Sequence, residues 1–107
     1  MARHTAYVGQ LIIANGATAS NSLVVPQGKM TIALIFVSPA AYTGTITVQG
    51  ALATGTPQAL AIDATALTLT AAQTKRINIS GIETVKLASG SAEGAERVVD
   101  VYAEFDQ

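Results

Sequence analysis

Apolar and polar residues alternate most cleanly at the C-terminal end of the chain. There Val99, Val101, Ala103 and Phe105 fall on one face, and Glu96, Val98, Asp100, Tyr102, Glu104 and Asp106 on the other. That period of two predicts a half-buried strand, apolar inward and acidic outward. Thr45 to Ala51 repeats the pattern, with Ile46, Val48 and Gly50 inward and Thr45, Thr47 and Gln49 outward. Met30 to Ser38 is apolar on both faces and rich in β-branched residues, which predicts a central strand. A first strand is expected at Thr5 to Ala14 and the beginning of a second at Leu23 to Val25, with others at Lys75 to Ser80 and Ile82 to Ala88. Weak strands are expected at Gln58 to Asp63 and Ala66 to Thr70. Pro26-Gln27-Gly28, Pro39 and Gly81 punctuate them, a helical turn is open at Ala71-Ala72, and loops fall at Asn15 to Ser22, Leu52 to Pro57 and Ser89 to Ala95. About eight or nine short strands, with turn signals every 8–12 residues or so, predict an all-β fold. It is a single-domain antiparallel β-sandwich of jelly-roll or Greek-key type spanning residues 1–107.

Composition changes the picture at the surface. Charged residues make up 12% of the chain, against roughly 25% in an average soluble domain, and the net charge is −1. The outside must therefore be largely Thr, Ser, Ala and Gly, with little electrostatic repulsion between copies. Such a surface suits a protein packed against neighbours. With no cysteine, disulfides and thiolate metal sites are excluded. The apolar run Leu11 to Ile13 is too short for a signal-peptide core, and Ile32 to Val37 is too short to cross a bilayer. The expectation is a protein made and kept in the cytoplasm, without membrane contact.

The inventory for catalysis is thin. His4 sits beside Arg3 in an end expected to fray, with no fixed partner for acid–base work. Glu96, Asp100 and Glu104 share a face, but four residues of strand span about 13–14 Å, whereas paired glycosidase carboxylates lie roughly 5–9.5 Å apart. Asp and Glu are dispersed without metal-loop spacing, and the glycines form no phosphate cradle. Lys75-Arg76 is the lone basic pair, so nucleic-acid binding is not expected. Asn78-Ile79-Ser80 matches a glycosylation sequon, which its predicted strand setting makes a chance match. Tyr7, Tyr42 and Tyr102 could stack on a sugar, although tyrosines at strand ends more often serve packing. The expectation is no enzyme and no cofactor.

Pro39-Ala-Ala-Tyr42-Thr-Gly-Thr-Ile46-Thr-Val48-Gln49 resembles a pattern in small β-sandwich structural proteins of tailed bacteriophages. In those proteins a proline and an aromatic precede a strand ending in an apolar-Gln pair. The apolar strand through Val85 and Leu87, then Ser89-Gly90, a small-residue loop and Arg97, is similar to that group, as is the early Pro26 and Gly28 turn. The group often continues with a Ser-x-Asp-Gly turn, where this chain has Gly50-Ala-Leu-Ala-Thr-Gly55. The resemblance implies a virion protein that decorates or cements the capsid, bound to the major capsid protein or another virion protein. It also implies a homo-oligomer, with a trimer favoured. The alternatives are a tail, neck or fibre component, or a carbohydrate-binding module. Arg3, His4 and Tyr7 on the N-terminal arm, Asn15, Asn21 and Tyr42 near turns, and Ser91 and Glu93 in the late loop are the candidate interface residues.

Overall fold

The computed structural model describes residues 3–26, 30–51, 58–59, 61–62, 65–78 and 82–106. The expected turn residues Gln27, Gly28 and Gly81, the loop 52–57, the weak-strand residues Leu60 and Asp63, and sequon residues Ile79 and Ser80 lie outside them. Among the described residues the elements are β1 (Arg3–Ile13), β2 (Leu23–Val24), β3 (Met30–Val37), β4 (Ile46–Ala51), β5 (Gln58–Ala59) and β6 (Ala61–Ile62). They continue with β7 (Thr65–Ala66), β8 (Thr68–Leu69), β9 (Thr74–Asn78), β10 (Thr84–Ser89) and β11 (Arg97–Asp106). The sheets are antiparallel. One runs β1-β11-β3-β9; the other runs β2-β10-β4-β5, with β8 also pairing β4, and β6 and β7 form a small ribbon.

This order is that of a jelly roll. First strand pairs with last, β2 with β10, β3 with β9 and β4 with β8, as if one long hairpin had been folded over on itself. Pairing of β11 with β3 and of β10 with β4 then knits each sheet. The long final strand is interior because it has a partner on each side.

Alternation decides which side of each sheet meets the other. Val99, Val101, Ala103 and Phe105 of β11 are buried, together with Leu11 and Ile13 of β1 and Leu34 and Phe36 of β3. Facing them are Ile46 and Val48 of β4, Val85 and Leu87 of β10, and Leu67 and Leu69. The surface left to water, 5723 Å², matches the roughly 5,600 Å² expected of a compact chain of this mass.

Two local expectations change, and one feature is new. The N-terminal end does not fray: His4 pairs with Phe105 in the ladder, and their rings stack with centroids 5.8 Å apart. No helical turn forms at Ala71-Ala72; Ala72 takes φ +59° in a tight turn, and its N–H donates to the Pro39 carbonyl at 2.7 Å. In β1 the register shifts between Tyr7 and Gly9, a bulge. Gly9 sits there at φ +155°, where an added Cβ would lie 3.1 Å from Leu23 Cδ2.

Candidate functional site

The most concentrated polar chemistry is a buried carboxylate at one end of the sandwich. Glu93 is 1% exposed. Its Oε1 accepts from the Thr43 N–H at 2.8 Å and from Arg97 Nε at 2.9 Å. Its Oε2 accepts from the Gly44 N–H at 2.9 Å and from the Ser89 hydroxyl at 2.7 Å, a proton shared with the Ser91 carbonyl at 2.6 Å. The backbone of Glu93 is held as well: its N–H donates to the Ala17 carbonyl and its own carbonyl accepts from the Gly16 N–H. One residue therefore joins the β1–β2 loop, the β3–β4 loop, the end of β10 and the start of β11. Gly44 is required for the fit, because a Cβ there would lie 2.5 Å from Ser89 Oγ and 2.7 Å from the Ser91 nitrogen.

Burial alone would raise the Glu93 pKa, but the hydrogen bonds from Thr43, Ser89, Gly44 and Arg97 outweigh it and hold the carboxyl at about 2. Both oxygens are saturated and the group is ionised at neutral pH. It has no proton to give and no face toward a substrate, so its work is structural.

A strap beside the clasp sews the two sheets together. The Ser20 N–H donates to the Leu87 carbonyl while its hydroxyl accepts from the Leu87 N–H, and Ser20 bridges Ile13 on the other sheet. Asn21 then satisfies the β1 edge with its side chain. Its Oδ1 accepts from the Ile12 N–H at 2.8 Å and its Nδ2 donates to the Gln10 carbonyl at 3.0 Å.

The remaining accessible features lie on the two broad outer faces. On the four-stranded sheet, Tyr7 packs edge-on against Tyr102 with centroids 5.3 Å apart, and Tyr7 is 54% exposed. One outward row along, Asp100 accepts from the Tyr7 hydroxyl and from the Gln10 amide, each at 3.2 Å. Desolvation, together with that bond to Asp100, raises the Tyr7 pKa. Arg76 grips Glu104 through two nitrogens, at 2.7 and 3.1 Å, and that hydrogen-bonded pairing raises its own pKa. On the five-stranded sheet the outer face carries Thr84, Lys86 and Ala88 of β10 and Thr47 and Gln49 of β4, with Val24 67% exposed at its edge. Among the described residues no cluster of three or more His, Cys, Asp or Glu could hold a metal, and no helix is long and apolar enough to cross a membrane.

The candidate interface residues scatter over this frame. Tyr7 lies on the four-stranded outer face, whereas exposed His4 stacks on Phe105, the side opposite Tyr102. Arg3 pairs with Asp106 through the backbone. Asn15 and Ser91 are exposed at the clasp end. One candidate is corrected: Glu93 is buried and saturated. Asn21 is exposed with its amide bonded to β1, and Tyr42 is half-buried, its hydroxyl donating to Ser38 Oγ at 2.8 Å. Burial raises the Tyr42 pKa. Arg97, Ser89, Gly44 and Ser20 carry structure that the alternation of the chain did not mark. The available hint was a lone Glu in a small-residue loop, four residues before an Arg, in a chain poor in charge.

These residues describe an antiparallel β-sandwich protein with a polar clasp turned inward at one end and two open sheet faces. No family model matches the chain, and no curated protein does. Among solved structures it is similar to a Bacillus endospore appendage protein, one of a novel family of disulfide-linked pili. The similarity has TM-score 0.53 at 13% identity and covers 97% of this chain and 86% of that one. At that identity the likeness shows the shared fold. The disulfide link of those pili has no counterpart here, since this sequence contains no cysteine.

Proposed function

We infer that the chain is a non-enzymatic structural protein that works in many copies within a larger assembly. Its specific setting is the virion of a tailed bacteriophage, where it decorates the capsid by binding the outer surface of the major capsid protein. One observation carries the assembly reading: the described residues of the two outer sheet faces include few charges without an ion-pair partner. Such faces lose little on dehydration, and weak contacts repeated over a lattice add up to firm attachment. The phage setting draws on the sequence resemblance around Pro39 to Gln49.

Mass spectrometry of gradient-purified particles tests it. Copy numbers on the order of hundreds per particle are expected for a shell protein, and about a dozen or fewer for tail or neck. Absence of the chain from particles would overturn the virion setting. A second reading, a subunit of a filamentous appendage, is favoured by the fold shared with the Bacillus endospore appendage protein. Without cysteine its subunits would be held by noncovalent contacts, and electron microscopy of the purified chain would show fibres.

A further inference from the structure

We propose that the outer face of the four-stranded sheet docks on the outer face of the five-stranded sheet of a second copy, stacking copies head to tail. The two faces are complementary in charge and in spacing. On the four-stranded face Asp100 meets the neutral donors Tyr7 and Gln10, and among the described residues it forms no ion pair. The carboxylate of Glu104 beside it is already matched by Arg76. On the five-stranded face Lys86 is the charge of β10's outward row, and it too forms no ion pair among the described residues. Asp100 and Lys86 are thus uncompensated charges of opposite sign, one on each face.

The apolar groups stand at matching offsets. The Tyr7–Tyr102 pair lies one outward row from Gln10–Asp100. Val24–Thr84 lies one outward row from Lys86–Gln49. Both offsets are two strand residues, about 7 Å. Laying exposed Tyr7 and its neighbour Tyr102 over exposed Val24 and its neighbour Thr84 therefore brings Asp100 to Lys86. A face docked on its own kind would bring two copies of Asp100, or of Lys86, into one interface with no uncompensated opposite charge to meet them, which disfavours the symmetric dimer. Because the two surfaces are different, each docked pair keeps one free face of each kind, and the contact propagates into rings or stacks.

Sedimentation velocity of the full chain over a range of concentrations tests this, with circular dichroism as the check on folding. The wild type is expected to form species larger than a dimer that grow with concentration and shrink as salt is raised. Asp100→Lys and Lys86→Asp should each need about tenfold or more protein to associate. An equimolar mixture of the two variants should recover wild-type association, because each reversed face meets a complementary one. If a reversal unfolds the chain, Asp100→Asn and Lys86→Gln test the same contact through loss of salt dependence. A wild type monomeric throughout, folded variants that associate like it, or a mixture that does not recover would overturn the proposal. It rests on the assembly reading for its biological setting, yet the two fail separately. A monomer in solution that is abundant in particles removes the stacking alone, and a stacking chain absent from particles removes the virion setting alone.

Discussion

At the scale of single residues, Glu93 decides how the loop end of the sandwich responds to acid. Its pKa lies below the ordinary 4.5 at about 2, so the unfolded chain takes up the proton first as pH falls. The stabilisation is complete above about pH 5 and is lost between there and about pH 2, an effect on the order of 3 kcal/mol. Urea unfolding at pH 7 and pH 3 should show this loss. Glu93→Gln should cost about 2–4 kcal/mol at pH 7, because an amide nitrogen placed at either oxygen would meet donors, and it should flatten the acid dependence. A Glu93→Gln variant as stable as wild type at pH 7 would show that the clasp contributes nothing. Gly44→Ala should destabilise by a similar amount through the clash with Ser89 and Ser91, measured by the same unfolding curves. None of this was readable from the alternation of the chain, which reports which side of a strand is buried. Glu93 lies between strands, and what buries it is the meeting of loops distant in sequence.

At the scale of elements, period two carried far. It placed the inward rows of β11 and β4, and the doubly apolar β3 lies between two strands, as a central strand should. It lost resolution where strands are short. The described strands β5 to β8 are two residues each, too brief for a period to show. The segment 17–21 read as a loop by its turn formers, yet Ser20 and Asn21 give it strand-like bonds to both sheets. Asn21 acts as a side-chain substitute for a neighbouring strand along part of β1. Asn21→Ala should therefore lower stability by about 1 kcal/mol and speed hydrogen exchange at the Ile12 amide, read by NMR, while amides in the middle of β11 keep their protection. Unchanged exchange at Ile12 would mean that the edge is satisfied in another way. The acidic face of β11 divides at this scale too: Glu104 is paired to Arg76 within the sheet, and Asp100 is left to meet something else.

At the scale of the whole molecule, a chain with 12% charged residues has placed several of its charges where they hold the fold together. Glu93 with Arg97 closes one end, and Arg76 with Glu104 braces the four-stranded face. Lys75 donates to the Thr68 carbonyl at 2.8 Å, tying the edge strand β9 to the other sheet. What remains outward is a pair of mixed polar and apolar sheet faces on a body 43 × 27 × 24 Å, with Asp100 on one and Lys86 on the other. On the stacking proposal these faces are the working surface. Carbodiimide coupling, which joins a carboxylate to an amine in direct contact, tests it on the associated protein. A mixture of isotopically light and heavy chains lets mass spectrometry separate links between copies from links within one. A light–heavy link between Asp100 and Lys86 is the predicted result; associated protein whose intermolecular links join other residues and leave these two unmodified would contradict it.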